Sequence, residues 1–232
     1  MDLELFDRSE VLALYPAFRR GQPFSSTGRK RWPTELIIHE PAIATLQATE
    51  ASLRRNGYGV HYSVDVNGDI IQYNDPIRDR CSHCPEHNTT GVGIEVVNSY
   101  RPHPDWPDRI KASWAHEGGY SVPPTKQLRS LATLVVRLQE RLQIPAAYPA
   151  AHQGLRTFRM GQLDGEQIRG MTVPGAYPGG GVWAHQHAGG HSDGAYPCLV
   201  LCLVQCYQYS VPDARAWAME HAAGRRREIA LP

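Results

Sequence analysis

Residues 91–98 read GVGIEVVN. Val92, Ile94 and Val96 alternate with Gly93, Glu95 and Val97, the period of two that defines a strand. Everything in that strand is apolar or small except Glu95. A carboxylate in such a place is costly unless it is paired or does chemical work. The plain alternative is an edge strand that holds Glu95 in water. The rest of the chain decides between these readings.

Upstream lies VHYSVDVNGDIIQY, residues 60–73. Val60, Tyr62, Val64 and Val66 alternate with His61, Ser63 and Asp65, and Asn67-Gly68 predicts a two-residue hairpin turn into Ile70-Ile71. Between hairpin and strand, residues 80–90 hold Cys81, His83, Cys84, His87 and Asn88. A lone CxxC serves as a disulfide, a redox pair or half of a zinc site, or has no special role. His83, His87 and Asn88 lie just before the Glu95 strand, where they could line a groove or simply occupy a surface loop.

Further upstream, Thr34–His39 is an apolar run with β-branched residues leading to His39, read as a buried strand. Ala42–Asn56 follows a helical period and stops at Asn56-Gly57. Residues 1–33 are expected to be irregular, apart from a short amphipathic piece at Val11–Phe18. Arg29, Lys30 and Arg31, like Arg225–Arg227, are expected to be solvated surface.

Downstream, residues 99–124 predict a long surface loop. Thr125–Leu142 carries a stripe of Leu128, Leu131, Leu134, Val135, Leu138 and Leu142, an amphipathic helix ended by Ile144-Pro145. Residues 146–181 are glycine-rich and aperiodic; 182–185 read as a short strand; 197–209 predict a final helix. On that helix Cys198, Cys202 and Cys206 share one face and read as small buried hydrophobes. Strands alternating with helices predict one α/β domain with a central mixed sheet flanked by helices.

Composition sets outer bounds. The chain has 232 residues, 41% hydrophobic and 20% charged, with a formal charge of +1. Nothing in that balance calls for nucleic acid or anionic lipid, and the longest purely apolar run, Cys198–Val204, is far short of a membrane span. The N-terminus, MDLELFDRSE, is acidic and lacks an apolar export segment. The expectation is a chain made in the cytoplasm, open to release by lysis or signal-independent secretion.

Chemistry concentrates in histidines and carboxylates. His39 closes a buried strand. His185 stands eight residues before Asp193, with Gly189-Gly190 between them and His187 and His191 as competitors. Histidine is the commonest metal ligand. A hydrolytic zinc site needs three protein ligands, an open position and a nearby acid/base, and this inventory supplies them.

The order of these pieces resembles the zinc-dependent N-acetylmuramoyl-L-alanine amidases of type 2, which share a fold with phage lysozyme-type amidases and peptidoglycan recognition proteins. The pieces are a strand ending in His39, a helix, a hairpin of form HYxxxVNGxIxQ, a loop with His and Asn, GxGIE, a long helix with Gln127 near its start, and finally His185, His191 and Asp193. The likeness spans residues 34–209, leaving 1–33 as an N-terminal extension and 210–232 as a tail, with insertions at about 99–124 and 146–181. It implies one Zn2+ held by His39, His185 and Asp193, with Glu95 as acid/base. It places His191 where the family usually keeps a lysine, to stabilise an oxyanion, and His83 and Asn88 near substrate. The implied partner is peptidoglycan or a muropeptide, and the implied reaction is hydrolysis between N-acetylmuramic acid and L-alanine. Glu40 after His39, the run Gly194-Ala195-Tyr196-Pro197 after Asp193, and the missing tryptophan before His83 depart from the family pattern. Two other readings stay open: a non-catalytic peptidoglycan-binding module of the same fold, and a zinc amidase for a different amide.

Overall fold

The structure is a computed structural model. It describes residues 18–85, 87–98, 109–111, 119–121, 123–145, 157–158, 180–185 and 227–228. The strands are β1 (Phe18–Arg20), β2 (Ser26–Gly28), β3 (Glu35–His39), β4 (Tyr62–Val64), β5 (Ile70–Gln72), β6 (Asp79–Cys81), β7 (Gly91–Val96), β8 (Arg109–Lys111), β9 (Gly119–Ser121), β10 (Thr157–Phe158), β11 (Gly181–Ala184) and β12 (Arg227–Glu228). The helices are α1 (Leu46–Arg55) and α2 (Thr125–Leu142).

Six strands form the main sheet in the order β1-β5-β4-β7-β3-β11. Only β4 and β5 pair antiparallel; the other neighbours run parallel. This is the expected mixed α/β arrangement. The strand carrying Glu95 lies between β4 and β3, not at an edge. Every residue of β7 is buried, which explains its near-continuous apolar character.

One sheet face carries Leu36, Ile38, Val64, Ile70, Val92 and Ile94, all buried. The amphipathic α2, with the bounds its sequence predicts, packs against β4 and β5 and buries Leu128, Leu131, Val135, Leu138 and Leu142. Gln127 fastens it: Nε2 donates to the Val64 carbonyl at 3.0 Å and to the Val97 carbonyl at 2.7 Å. The opposite face is covered at its β5 end by Phe24, Val60, Ile71 and Tyr73, against which Leu46 and Leu53 of α1 pack.

Several local expectations are corrected. Residues 18–28, read as irregular, contain β1, which pairs with β5, and β2, which pairs with β6. Arg54 of α1 stacks over Phe24 at 4.4 Å and donates to the Pro23 and Gln22 carbonyls, so this segment is packed structure. Helix α1 starts at Leu46, four residues later than its periodicity suggests. Ala42 takes a left-handed φ of 55°, and Thr45 caps the helix by accepting from Ala48 N–H. The β4–β5 connection spans Asp65 to Asp69, not two residues, because Val64 pairs with Ile70; Gly68 supplies its left-handed φ of 86°. Within 99–124, β8 and β9 pair as a ribbon, and Asn98 Nδ2 donates to the Ser121 carbonyl. The cysteine-bearing helix expected at 197–209 lies outside the described residues. No helix among the described residues is long and apolar enough to cross a membrane.

Candidate active site

Strand register assembles the site. His39 on β3 pairs with Glu95 on β7, and Glu95 pairs with Ser63 on β4. On the far side β11 pairs Ala184 with Ile38, so His185 follows beside His39. Paired residues project to the same face, and His185, His39, Glu95 and Ser63 therefore stand in one row across four strands. Residues separated by 146 positions meet because parallel strands end together.

The two imidazoles face each other, with His39 Nδ1 3.1 Å from His185 Nδ1. Two nitrogens bound to one tetrahedral metal at about 2.0–2.1 Å stand about 3.4 Å apart. The observed pair fits that edge. The donor set also suits zinc, which favours imidazole. Asp193, the expected third ligand, and His191 lie outside the described residues, as does His187.

Glu95 is only 4% exposed. Burial raises its carboxyl from an ordinary 4.5 to about 8. A group so tuned is suited to proton transfer near neutral pH. Tyr73 flanks this row: its hydroxyl donates to Glu50 Oε1 at 2.7 Å, and burial, then its carboxylate neighbours, keep it protonated.

Beneath the row lies a layer of buried polar residues. His83 sits over the sheet because Gly93 offers it room; a Cβ at 93 would come 2.8 Å from the His83 ring. His83 Nδ1 is 3.1 Å from His39 Nε2, and His83 Nε2 is 3.3 Å from the Gly91 carbonyl. Burial, then the neighbouring His61, holds its pKa well below the usual value. Asn88 accepts on Oδ1 from the N–H groups of His83 and Cys84 at 2.8 and 2.7 Å, shaping the 81–90 loop. Sequence reasoning expected both residues near substrate; both are buried, and these atoms are committed to the loop and to His39. His87 contacts the buried Glu35 through Nδ1. Cys81 and Cys84 are buried thiols, and burial, then Asp79, pushes Cys81 up to about 12. They form no disulfide, and Cys81 is held as the thiol.

Two members of this layer escaped sequence reasoning. His61 accepts from Gly93 N–H on Nδ1 at 3.0 Å, which puts its proton on Nε2, 3.1 Å from the Asp79 carbonyl. Burial, then Arg29, lowers its pKa to about 3. Its signal was present: it shares the Ser63 face of the hairpin. Arg29, read as surface, turns inward and donates to the carbonyls of Asp79, Thr89 and Gly91. Burial lowers it to about 10, so it remains charged. Lys30 and Arg31 are exposed as expected.

A mixed sheet thus gathers two histidines and a buried glutamate toward its strand ends, an α/β site that offers candidate metal ligands and a candidate acid/base. The chain belongs to the N-acetylmuramoyl-L-alanine amidase family, whose model matches residues 29–193. Among solved structures, it is similar to the Staphylococcus aureus hydrolase AmiA in complex with its ligand, at 14% identity over 96% of this chain and 91% of that one, with a TM-score of 0.49. It is also similar to the endolysin amidase LysCS from Clostridium intestinale URNW, at 16% identity over 56% of this chain and 78% of that one, with a TM-score of 0.41. A variant of Drosophila PGRP-LB in complex with tracheal cytotoxin matches at 14% identity over 75% of this chain and 85% of that one, with a TM-score of 0.40. No curated protein matches the chain in sequence.

Proposed function

We propose that this chain is a zinc-dependent amidase that cleaves the bond between N-acetylmuramic acid and L-alanine in peptidoglycan or its fragments. The observation that carries the reading is the pair of Nδ1 atoms, 3.1 Å apart, in register with a buried glutamate. Family membership supplies the substrate class.

His39, His185 and Asp193 would hold the ion. When bound, zinc supplies Lewis acidity, polarising the scissile carbonyl and making water acidic enough to attack near neutral pH. Glu95 in its ionised form accepts the proton of the attacking water on a carboxylate oxygen. It then returns that proton to the departing amine nitrogen. The positive charge held by His39 and His185 favours the ionised form, offsetting the burial that otherwise keeps Glu95 protonated. His191, when protonated, stabilises the developing oxyanion in place of the family's lysine. In the buried layer His83 meets His39, His61 packs edge-on against His83, and Arg29 meets His61.

Purified protein is expected to carry about one zinc per chain and to release stem peptide from muropeptides. Full activity in a His39→Ala or Glu95→Ala variant would rule out these assignments.

A further inference from the structure

His83 is placed to do more than fill space. Its Nε2 lies 3.3 Å from the Gly91 carbonyl, an acceptor that requires a proton on that nitrogen. Nδ1 of the same neutral ring is then an acceptor. It faces His39 Nε2 at 3.1 Å, so His39 donates from Nε2 and keeps its lone pair on Nδ1. That is the atom facing His185 Nδ1.

Rigid supports hold His83 in this role. Its backbone N–H donates to Asn88 Oδ1. Its ring rests on Gly93, where any side chain would collide with it. The acceptor at Gly91 belongs to β7, the strand that carries Glu95. One strand thus sets both the general base and, through His83, the tautomer of His39.

We propose that His83 is a positioning residue that fixes His39 as an Nδ1 metal ligand through the chain His39 Nε2–H to His83 Nδ1 and His83 Nε2–H to the Gly91 carbonyl. The inference rests on the zinc site proposed above and adds a residue outside the ligand set to it. Outer hydrogen bonds of this kind orient the ligand, and their loss typically costs about 10- to 100-fold in metal affinity.

The test measures zinc dissociation constants of the full chain by competition with a chromophoric chelator, for wild type, His83→Asn and His83→Leu. Asparagine places an oxygen where Nδ1 stands and keeps the acceptor; leucine removes it. The expected result is a loss of about 10- to 100-fold for His83→Leu, with His83→Asn close to wild type. The Co2+-loaded forms should show an altered ligand-field spectrum for His83→Leu alone. Equal affinity in wild type and His83→Leu overturns the inference and leaves the zinc site standing. Equal weakening in both variants also overturns it, since packing then explains the effect. A wild type that binds no zinc overturns both. Should His83→Leu fail to fold, imidazole 15N shifts of the wild-type zinc-loaded protein decide: protons on Nε2 of both His39 and His83 support the chain, and a His83 proton on Nδ1 overturns it.

Discussion

Glu95 carries an electrostatic conflict that can be read out without substrate. In the metal-free protein its carboxyl titrates near 8 rather than 4.5. Between those values the folded state holds a proton that the unfolded chain has lost, so this group's contribution to stability falls as pH rises from about 4.5 to about 8. Glu95→Gln should flatten that fall in urea unfolding curves of metal-free protein. It should also cut turnover by about 100- to 10,000-fold while zinc still binds. An unchanged pH dependence would show that Glu95 is not held in its protonated form. His61 acts in the opposite direction. Its folded value near 3 lies below the ordinary 6.5, so the unfolded chain gains a proton first on acidification. Stability is lost as pH falls from about 6.5 toward 3, and His61→Gln should lessen that acid sensitivity in the same unfolding series. Local pattern left the burial of both residues undecided. His61 and Ser63 read as the polar face of a hairpin, and only the pairing of β4 with the buried β7 turns that face inward. Arg29 likewise looked solvated, because the three carbonyls it meets lie at least 50 positions away.

At the scale of elements, the clearest patterns became structure with little change. The six-residue stripe on Thr125–Leu142 is a helix with the expected ends, since its periodicity is long and its face is buried against β4 and β5. The run ending at His39 is a buried strand. Boundaries moved where capping or register overrode periodicity: Thr45 sets the start of α1, and the Val64–Ile70 pair stretches the hairpin loop. One glycine and one glutamine mark where elements touch. Gly93→Ala should force the His83 ring away and destabilise the fold by about 1–3 kcal/mol, visible as a lower thermal midpoint. Gln127→Leu removes the donor shared by the Val64 and Val97 carbonyls. The Val64 carbonyl keeps the Val97 N–H as a donor, so the cost falls mainly on the buried bond to the Val97 carbonyl, about 1–3 kcal/mol, and denaturant unfolding should register a loss of that order.

For the whole molecule, the sheet order is what converts scattered residues into a site. Parallel pairing of β3 with both β7 and β11 brings His39, Glu95 and His185 into one row. No local pattern specifies that order; chain order resembling a known family did. The short β1 was invisible for the same reason, since three residues carry no period and its partner β5 lies about 50 positions on. Metal occupancy should couple to the entire fold. If zinc binds only the native state, free zinc at 100 times its dissociation constant adds about 2.7 kcal/mol, and a chelator should lower the thermal midpoint accordingly. The most direct measurement is digestion of intact sacculi and of soluble muropeptides by zinc-loaded protein, with products identified by mass spectrometry. The account predicts free stem peptides beginning with L-alanine beside muramic acid with its lactyl carboxyl released, and at least about 100-fold slower release from Glu95→Gln. Intact substrate, or cleavage at another bond, would contradict it.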